Sequence, residues 1–360
     1  MNSDNDKSKI RVLIVDDSAF MRTALSRMVS SDRDLTVVCT ATSGKEALER
    51  IASLDPDVIT LDVQMPGLDG LETLRCIMAQ FPRPVIMVSS VTVKDADATF
   101  SALEAGAFDY VPKQLASTSL NILHIREDLI VKIKAAAETR RCRELLRKPP
   151  RAVEPLPKAT SPTSVAIVAI GISTGGPKAL QEILPTLPAD FTVPIVVVQH
   201  MPSGFTAPFA KRLDGLSSAS IREAAQGQAL QPGVIYIAPG GSQMTVDRST
   251  HLGGMICISD KPENQLHAPS ADIMMQSVAA AYGALAMGII MTGMGSDGAQ
   301  GMSAIYREGG FTVGQDQFSC AVYGMPRVCA ELGILKRVVP LSRITHEILQ
   351  ATRYRKTSAS

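Results

Sequence analysis

The sequence predicts two doubly wound, mainly parallel α/β sheets joined by a Pro-rich linker. Three observations carry that prediction. Short apolar runs alternate with helix-periodic stretches between residues 10 and 113, the alternation of repeated βα units. The alternation restarts at residue 165, with runs apolar enough to be buried on both faces. Between the two series lies RKPPRAVEPLPKATSPTS, whose Pro149, Pro150, Pro155, Pro157 and Pro162 exclude regular helix and strand interiors. The length of 360 residues agrees, because it exceeds what one hydrophobic core usually supports.

In the first series the strands are RVLIV, LTVVCT, DVITLD, PVIMVSS and FDYV. Helices over 19–29, 44–53, 70–80 and 95–105 separate them, each with apolar residues three and four apart. A polar helix over 122–146 then runs into the prolines. In the second series VAIVAIGIS, TVPIVVVQH, GVIYIAP and ALAMGIIMTGMG read as strands, and QMTVD and MICISD as an antiparallel ribbon. The resulting bounds are a domain at 9–130, a helical and Pro-rich connection at 131–163 and a domain at 164–352.

Composition removes several functions. Lys and Arg number 36 against 35 Asp and Glu, a net charge of +1, so no global field draws nucleic acid or an anionic membrane. No 18-residue apolar run occurs, and the polar start MNSDNDKSKI lacks the form of a secretory signal. The reading is a cytoplasmic protein with no nucleic-acid partner and no membrane insertion. The six cysteines contain no CxxC pair, so they read as reduced thiols rather than a disulfide framework or a zinc site.

The chemistry-bearing residues fall at strand ends. Asp16 and Asp17 close RVLIV, and Asp62 closes DVITLD. In a doubly wound sheet the carboxyl ends of neighbouring strands converge on one crevice, which brings these carboxylates together. Like charges there call for a cation, and Mg²⁺ suits them because it takes a few carboxylate oxygens while bridging a phosphate. Ser89 and Lys113, at two further strand ends, offer a hydroxyl and an ammonium to a transferred phosphoryl group.

In the second series Ser173 lies in G-I-S-T-G directly after a strand, with Pro177 set to begin a helix. Glycines at such a turn lift a serine hydroxyl out of the sheet edge. The same turn would equally cradle a phosphate at a helix amino end. His200 ends IVVVQH, and Asp297 lies in the glycine-rich loop after IIMTGMG. Together they offer a nucleophile, a base and a carboxylate to orient the base. The chain order Ser, His, Asp differs from that of α/β-hydrolases. His267, in LHAPSAD, is a residue to line the cleft or a rival for the base.

DDSAFMR, DVQMPGLDG and Lys113 at their spacings resemble the response-regulator receiver domain, over roughly residues 9 to 130. That resemblance implies a flavodoxin-like fold, with Asp62 as phosphoacceptor and Asp16, Asp17 and Asp62 holding Mg²⁺. It also implies Ser89 as switch hydroxyl, Tyr110 as switch aromatic and Lys113 as the phosphate-sensing ammonium. Gln114 stands where that family usually has proline. GISTGGP, VVVQHMPSGFT, HAPSAD and MTGMGSDGAQGM resemble the Rossmann-like catalytic domain of chemotaxis protein-glutamate methylesterases, over about 164 to 350. The resemblance implies a phosphorylation-activated hydrolase acting on glutamate methyl esters of chemoreceptors, and on certain receptor glutamines, with a chemotaxis histidine kinase as phosphodonor. It implies Ser173, His200 and Asp297 as the catalytic residues, with Thr174, Met294 and His267 as oxyanion or cleft residues. No cofactor is implied for ester hydrolysis. The competing reading is a response regulator whose output domain binds a phosphate or a partner without catalysis.

Overall fold

The computed structural model describes residues 9–90, 93–113, 119–145, 165–248, 253–260 and 267–354. The chain divides into two compact units, Met1–Glu154 and Pro155–Ser360. The Pro-rich linker expected between the sheets lies outside the described residues, as does Gln114. Among the described residues, no helix is long and apolar enough to cross a membrane.

The first unit begins with β1 (Ile10–Val15), α1 (Ala19–Ser30), β2 (Leu35–Ala41), α2 (Gly44–Leu54) and β3 (Val58–Asp62). It continues through α3 (Gly70–Gln80), β4 (Val85–Ser89), α4 (Val93–Glu104), β5 (Asp109–Pro112) and α5 (Ser119–Leu145). Every strand pairing is parallel, in the order β2-β1-β3-β4-β5. Ser18, Ser43 and Asp69 start α1, α2 and α3 by accepting a backbone N–H three residues on, which satisfies donors the helices leave open. On α5, Leu129, Ile133, Ala136 and Ala137 form an apolar stripe buried with Val12 and Ile14 of β1. The helical part of the stretch read as a connection therefore packs on the first sheet, because three- and four-residue spacing puts those few apolar residues on one face.

The second unit opens with β6 (Ile167–Ile172), α6 (Gly176–Ile183), β7 (Ile195–Gln199), α7 (Thr206–Leu216), β8 (Ile221–Glu223) and β9 (Ile235–Ile237). Next come β10 (Ser242–Asp247), β11 (Met255–Asp260), α8 (Ala271–Tyr282), β12 (Ala286–Ile290) and α9 (Ala299–Arg307). The last elements are β13 (Phe311–Gln315), α10 (Met325–Glu331), β14 (Arg337–Val339) and α11 (Ile344–Ala351). Seven strands pair in parallel in the order β14-β13-β12-β6-β7-β9-β8. β10 and β11 form the separate antiparallel ribbon that the sequence predicts. From β6 the chain builds outward through β7 on one side, then returns to add β12 on the other. That reversal is a topological switch point, and the carboxyl ends of β7, β6 and β12 lie side by side there.

The first sheet and α3 approach each other closely at Gly70. A Cβ at this position would lie 2.0 Å from the Asp62 carbonyl oxygen and 2.8 Å from Val63 Cα. Both are backbone atoms, so relief requires moving α3 off the end of β3. Gly70→Ala is expected to lower the unfolding free energy by about 1–3 kcal/mol in chemical denaturation. An unchanged midpoint would show that the helix shifts without cost.

Candidate active site

Each unit gathers its polar residues at the carboxyl edge of its sheet. In the first, β1 and β3 are neighbours, so Asp16, Asp17 and Asp62 converge with carboxylate oxygens all within 4.8 Å of one another. Asp16 and Asp62 are buried and Asp17 is exposed. Lys113, after β5, sets its Nζ 2.6 Å from Asp62 Oδ2 and 2.9 Å from Asp16 Oδ2. Burial raises the Asp62 carboxyl above its ordinary range, and the Lys113 ammonium offsets only part of that. Burial also opposes the charge on Lys113, but Asp62 and Asp16 outweigh it and hold the ammonium above its usual value. Three carboxylates facing one ammonium make an oxygen-rich, net negative site. That donor set fits a hard divalent cation such as Mg²⁺, held by Asp16, Asp17 and Asp62.

Ser89 ends β4 with a buried hydroxyl that receives a 2.8 Å bond from Thr99 Oγ1 and donates to the Ser90 carbonyl at 3.3 Å. Tyr110 on β5 is buried, and that burial, with Asp109 and Asp128 nearby, pushes its phenol well above the usual value. Its carbonyl accepts a 2.7 Å bond from the buried Lys132 ammonium of α5.

In the second unit, Ser173, His200 and Asp297 follow β6, β7 and β12. Ser173 Oγ lies 3.1 Å from His200 Nδ1, and His200 Nε2 lies 2.7 Å from Asp297 Oδ2. The network assigns the proton of neutral His200 to Nε2, facing the carboxylate, which leaves the Nδ1 lone pair for the serine proton. Backbone bonds hold the same groups: Ser173 N–H donates to the Thr292 carbonyl and His200 N–H to the Ile172 carbonyl. The Asp297 carboxylate also receives Ser270 Oγ at 2.7 Å, Ala271 N at 2.7 Å and Asp272 N at 3.0 Å. Burial alone would raise its pKa; His200, Ser270 and the Asp272 N–H reverse that and hold it well below the usual carboxylate range.

His267 lies face to face on His200, with ring centroids 4.3 Å apart and planes 9° from parallel. It flanks the imidazole, while the two nitrogens that meet serine and aspartate belong to His200. Thr174 is buried, and its carbonyl accepts from Thr292 Oγ1. Met294 is exposed on the loop after β12.

Four residues that sequence reasoning did not single out complete the arrangement. Gln199 Nε2 donates to the carbonyls of both Ser173 and His200, at 3.0 and 3.2 Å. Gln243 of β10 donates to the His267 carbonyl and accepts from Ser270 N, which fixes the loop between them. Ser270 also caps α8, and a serine ahead of an apolar helical run was the signal that could have found it. At Gly293 a Cβ would stand 2.8 Å from Ser173 Cβ, so only glycine lets the β12 loop approach the serine this closely.

Asp297 titrates lower in the folded than in the unfolded chain. It therefore contributes stability that is fully present above the ordinary carboxyl range and is lost as pH falls through the folded value. The difference in unfolding free energy between wild type and Asp297→Asn is expected to hold steady from neutrality to about pH 5 and to narrow below about pH 4. Urea titrations at a series of pH values measure it, and a gap constant down to pH 2 would contradict the assignment.

Comparison with known proteins matches both units to known families. Residues 168–348 match the CheB methylesterase family and residues 12–123 the response regulator receiver domain. A protein of Nitratidesulfovibrio vulgaris named protein-glutamate methylesterase/protein-glutamine glutaminase 2 is 44% identical over 368 residues, covering 94% of this chain and 98% of its own. One of Symbiobacterium thermophilum, named protein-glutamate methylesterase/protein-glutamine glutaminase, is 45% identical over 97% of this chain and 99% of its own. The crystal structure of the Thermotoga maritima CheB methylesterase catalytic domain is similar at a TM-score of 0.50 and 36% identity, over 52% of this chain and 99% of that one. With strand-end serine, histidine and aspartate in one unit and clustered carboxylates in the other, the chain belongs to the CheB methylesterase family and carries a response regulator receiver domain ahead of the catalytic one.

Proposed function

We propose that the chain is a phosphorylation-activated serine hydrolase that removes methyl groups from glutamate methyl esters of methyl-accepting chemoreceptors in the cytoplasm, and deamidates certain receptor glutamines. The observation that carries the reading is the relay of 3.1 and 2.7 Å from Ser173 through His200 to Asp297. Relatives over nearly the whole chain bear the names of both activities. Ser173 Oγ attacks the side-chain carbonyl carbon while its proton passes to His200 Nδ1, and Asp297 stabilises the imidazolium. Backbone N–H groups near Met294 and Thr174 are the candidates to hold the oxyanion. Collapse breaks the carbon–methoxy bond, and the leaving oxygen takes the proton from Nδ1 to depart as methanol. Water then attacks the acyl-enzyme, giving its proton to Nδ1; the serine oxygen leaves with that proton, and the product is a glutamate carboxylate. Glutamine follows the same path with ammonia leaving.

In the receiver domain the Asp62 carboxylate is the phosphoacceptor for a chemotaxis histidine kinase. Asp16, Asp17 and Asp62 would hold Mg²⁺, which when bound would supply neutralising charge to the transferred group. Lys113 contributes a second positive charge and Ser89 a hydroxyl. The rival reading, a phosphate cradle at the GISTGG turn, leaves the His200 to Asp297 contact without a purpose.

Methanol release from methylated receptor is expected to fall by about 10⁶-fold in Ser173→Ala. Retained turnover in that purified variant would overturn the nucleophile. A small phosphodonor is expected to accelerate the intact chain and to leave Asp62→Ala unchanged. Equal acceleration of both would remove Asp62 from the switch.

A further inference from the structure

We propose that Asp272, in the first turn of α8, is a positioning residue for the hydrolytic reaction, fixing Asp297 by capping the helix that follows it; this rests on the relay reading above. The two aspartates cap each other's helices. Asp297 serves the start of α8, receiving the N–H groups of Ala271 and Asp272. Asp272 serves the start of α9, where its Oδ1 receives Gly301 N–H at 2.8 Å. α9 has no cap of its own: its N-cap is Gly298, at φ 94°, with no side chain to offer. The missing acceptor therefore comes from the neighbouring helix.

Gly301 closes the first turn after Asp297, so the bond Asp272 makes there ties the segment that carries the catalytic carboxylate to α8. Close packing leaves this turn no alternative seat. A Cβ on Gly301 would lie 2.5 Å from Met275 Cβ and 3.1 Å from the Asp272 carbonyl oxygen. The arrangement has an electrostatic cost, because burial and the like charge of Asp297 both oppose ionisation of Asp272. The Gly301 N–H offsets part of that cost. Without that bond the 297–301 turn would keep its chain connection and the donors on Asp297 but lose the tie that sets its rotation about β12, and the acceptor of His200 would be less firmly placed.

The test uses the full chain and methanol release from methylated receptor. Asp272→Ala is expected to lower kcat by about 10²-fold with KM unchanged, as for a displaced catalytic group. Asp272→Asn, which keeps an acceptor oxygen, should stay within roughly threefold of wild type, as asparagine caps as well as aspartate. The low-field proton NMR signal of the His200 to Asp297 bond should survive in Asp272→Asn and be lost in Asp272→Ala. If the alanine variant does not fold, Asp272→Ser, too short to reach Gly301, is expected to show the same loss of rate and signal. Combining Asp272→Ala with Asp297→Asn should give the rate of Asp297→Asn alone. A further 10²-fold fall in the double variant, or wild-type kcat in Asp272→Ala, would overturn the proposal. Wild-type kcat in Asp297→Asn would instead overturn the relay reading beneath it.

Discussion

Burial of the Asp297 carboxylate is the interaction on which the second unit turns. A carboxylate taken out of water is strongly unfavourable unless its oxygens find donors. Asp297 finds four: an imidazole, a hydroxyl and two N–H groups at the start of α8. Those donors come from the end of β7 and from residues 270–272, while the carboxylate arrives from the loop after β12. Satisfying one charge therefore fixes three segments far apart in sequence to within hydrogen-bond tolerance. The helix end adds a favourable dipole of the right sign. The same bonds that make the charge tolerable also keep it ionised, and an ionised, immobile acceptor is what holds an imidazole in one tautomer.

One geometric rule serves both units. Parallel strands all end at the same edge, and where the strand order reverses the turns that follow leave a crevice. In the receiver, the residues filling that crevice are three carboxylates with one ammonium across two of them. In the catalytic unit, they are serine, imidazole and carboxylate. The two chemistries differ through the one or two residues after each strand, with the scaffolds alike in kind.

That rule also explains what the sequence reveals. Asp62, Ser173 and His200 are legible because each ends or follows a continuous apolar run, and Asp297 because it sits in the glycine-rich loop after another. The ribbon of β10 and β11 was legible from its two short runs. Gln199 was hidden because it reads as the polar end of IVVVQ, whereas its function is to reach two carbonyls, one of them on a residue 26 positions away. β13, although fully buried, was hidden by the glycines around it, Gly309, Gly310 and Gly314. The three-residue strands β8 and β14 are too short to carry a period. On α5 the apolar stripe is interrupted by enough charge that the helix read as a connection, and only packing against β1 reveals its allegiance. Ser270 and Gln243 act through contacts between distant segments, which spacing along a chain does not encode.

The receiver shows the same economy in how the hydroxyl proposed as its switch is committed. Ser89 Oγ accepts a 2.8 Å bond from Thr99 and donates a 3.3 Å bond to the Ser90 carbonyl. With Asp62 as the proposed phosphoacceptor, a phosphoryl oxygen there would need a donor and would compete only with the second of these. That bond is longer than a well-formed O–H···O hydrogen bond and is the weaker of the pair. The Thr99 bond leaves the Ser89 proton untouched and can persist as Ser89 turns. Lys113, already 2.6 Å from Asp62, needs no journey to meet the added charge. The local cost of recognising the proposed phosphoryl group would then be one long hydrogen bond, offset by the charge-assisted bond that Ser89 would gain.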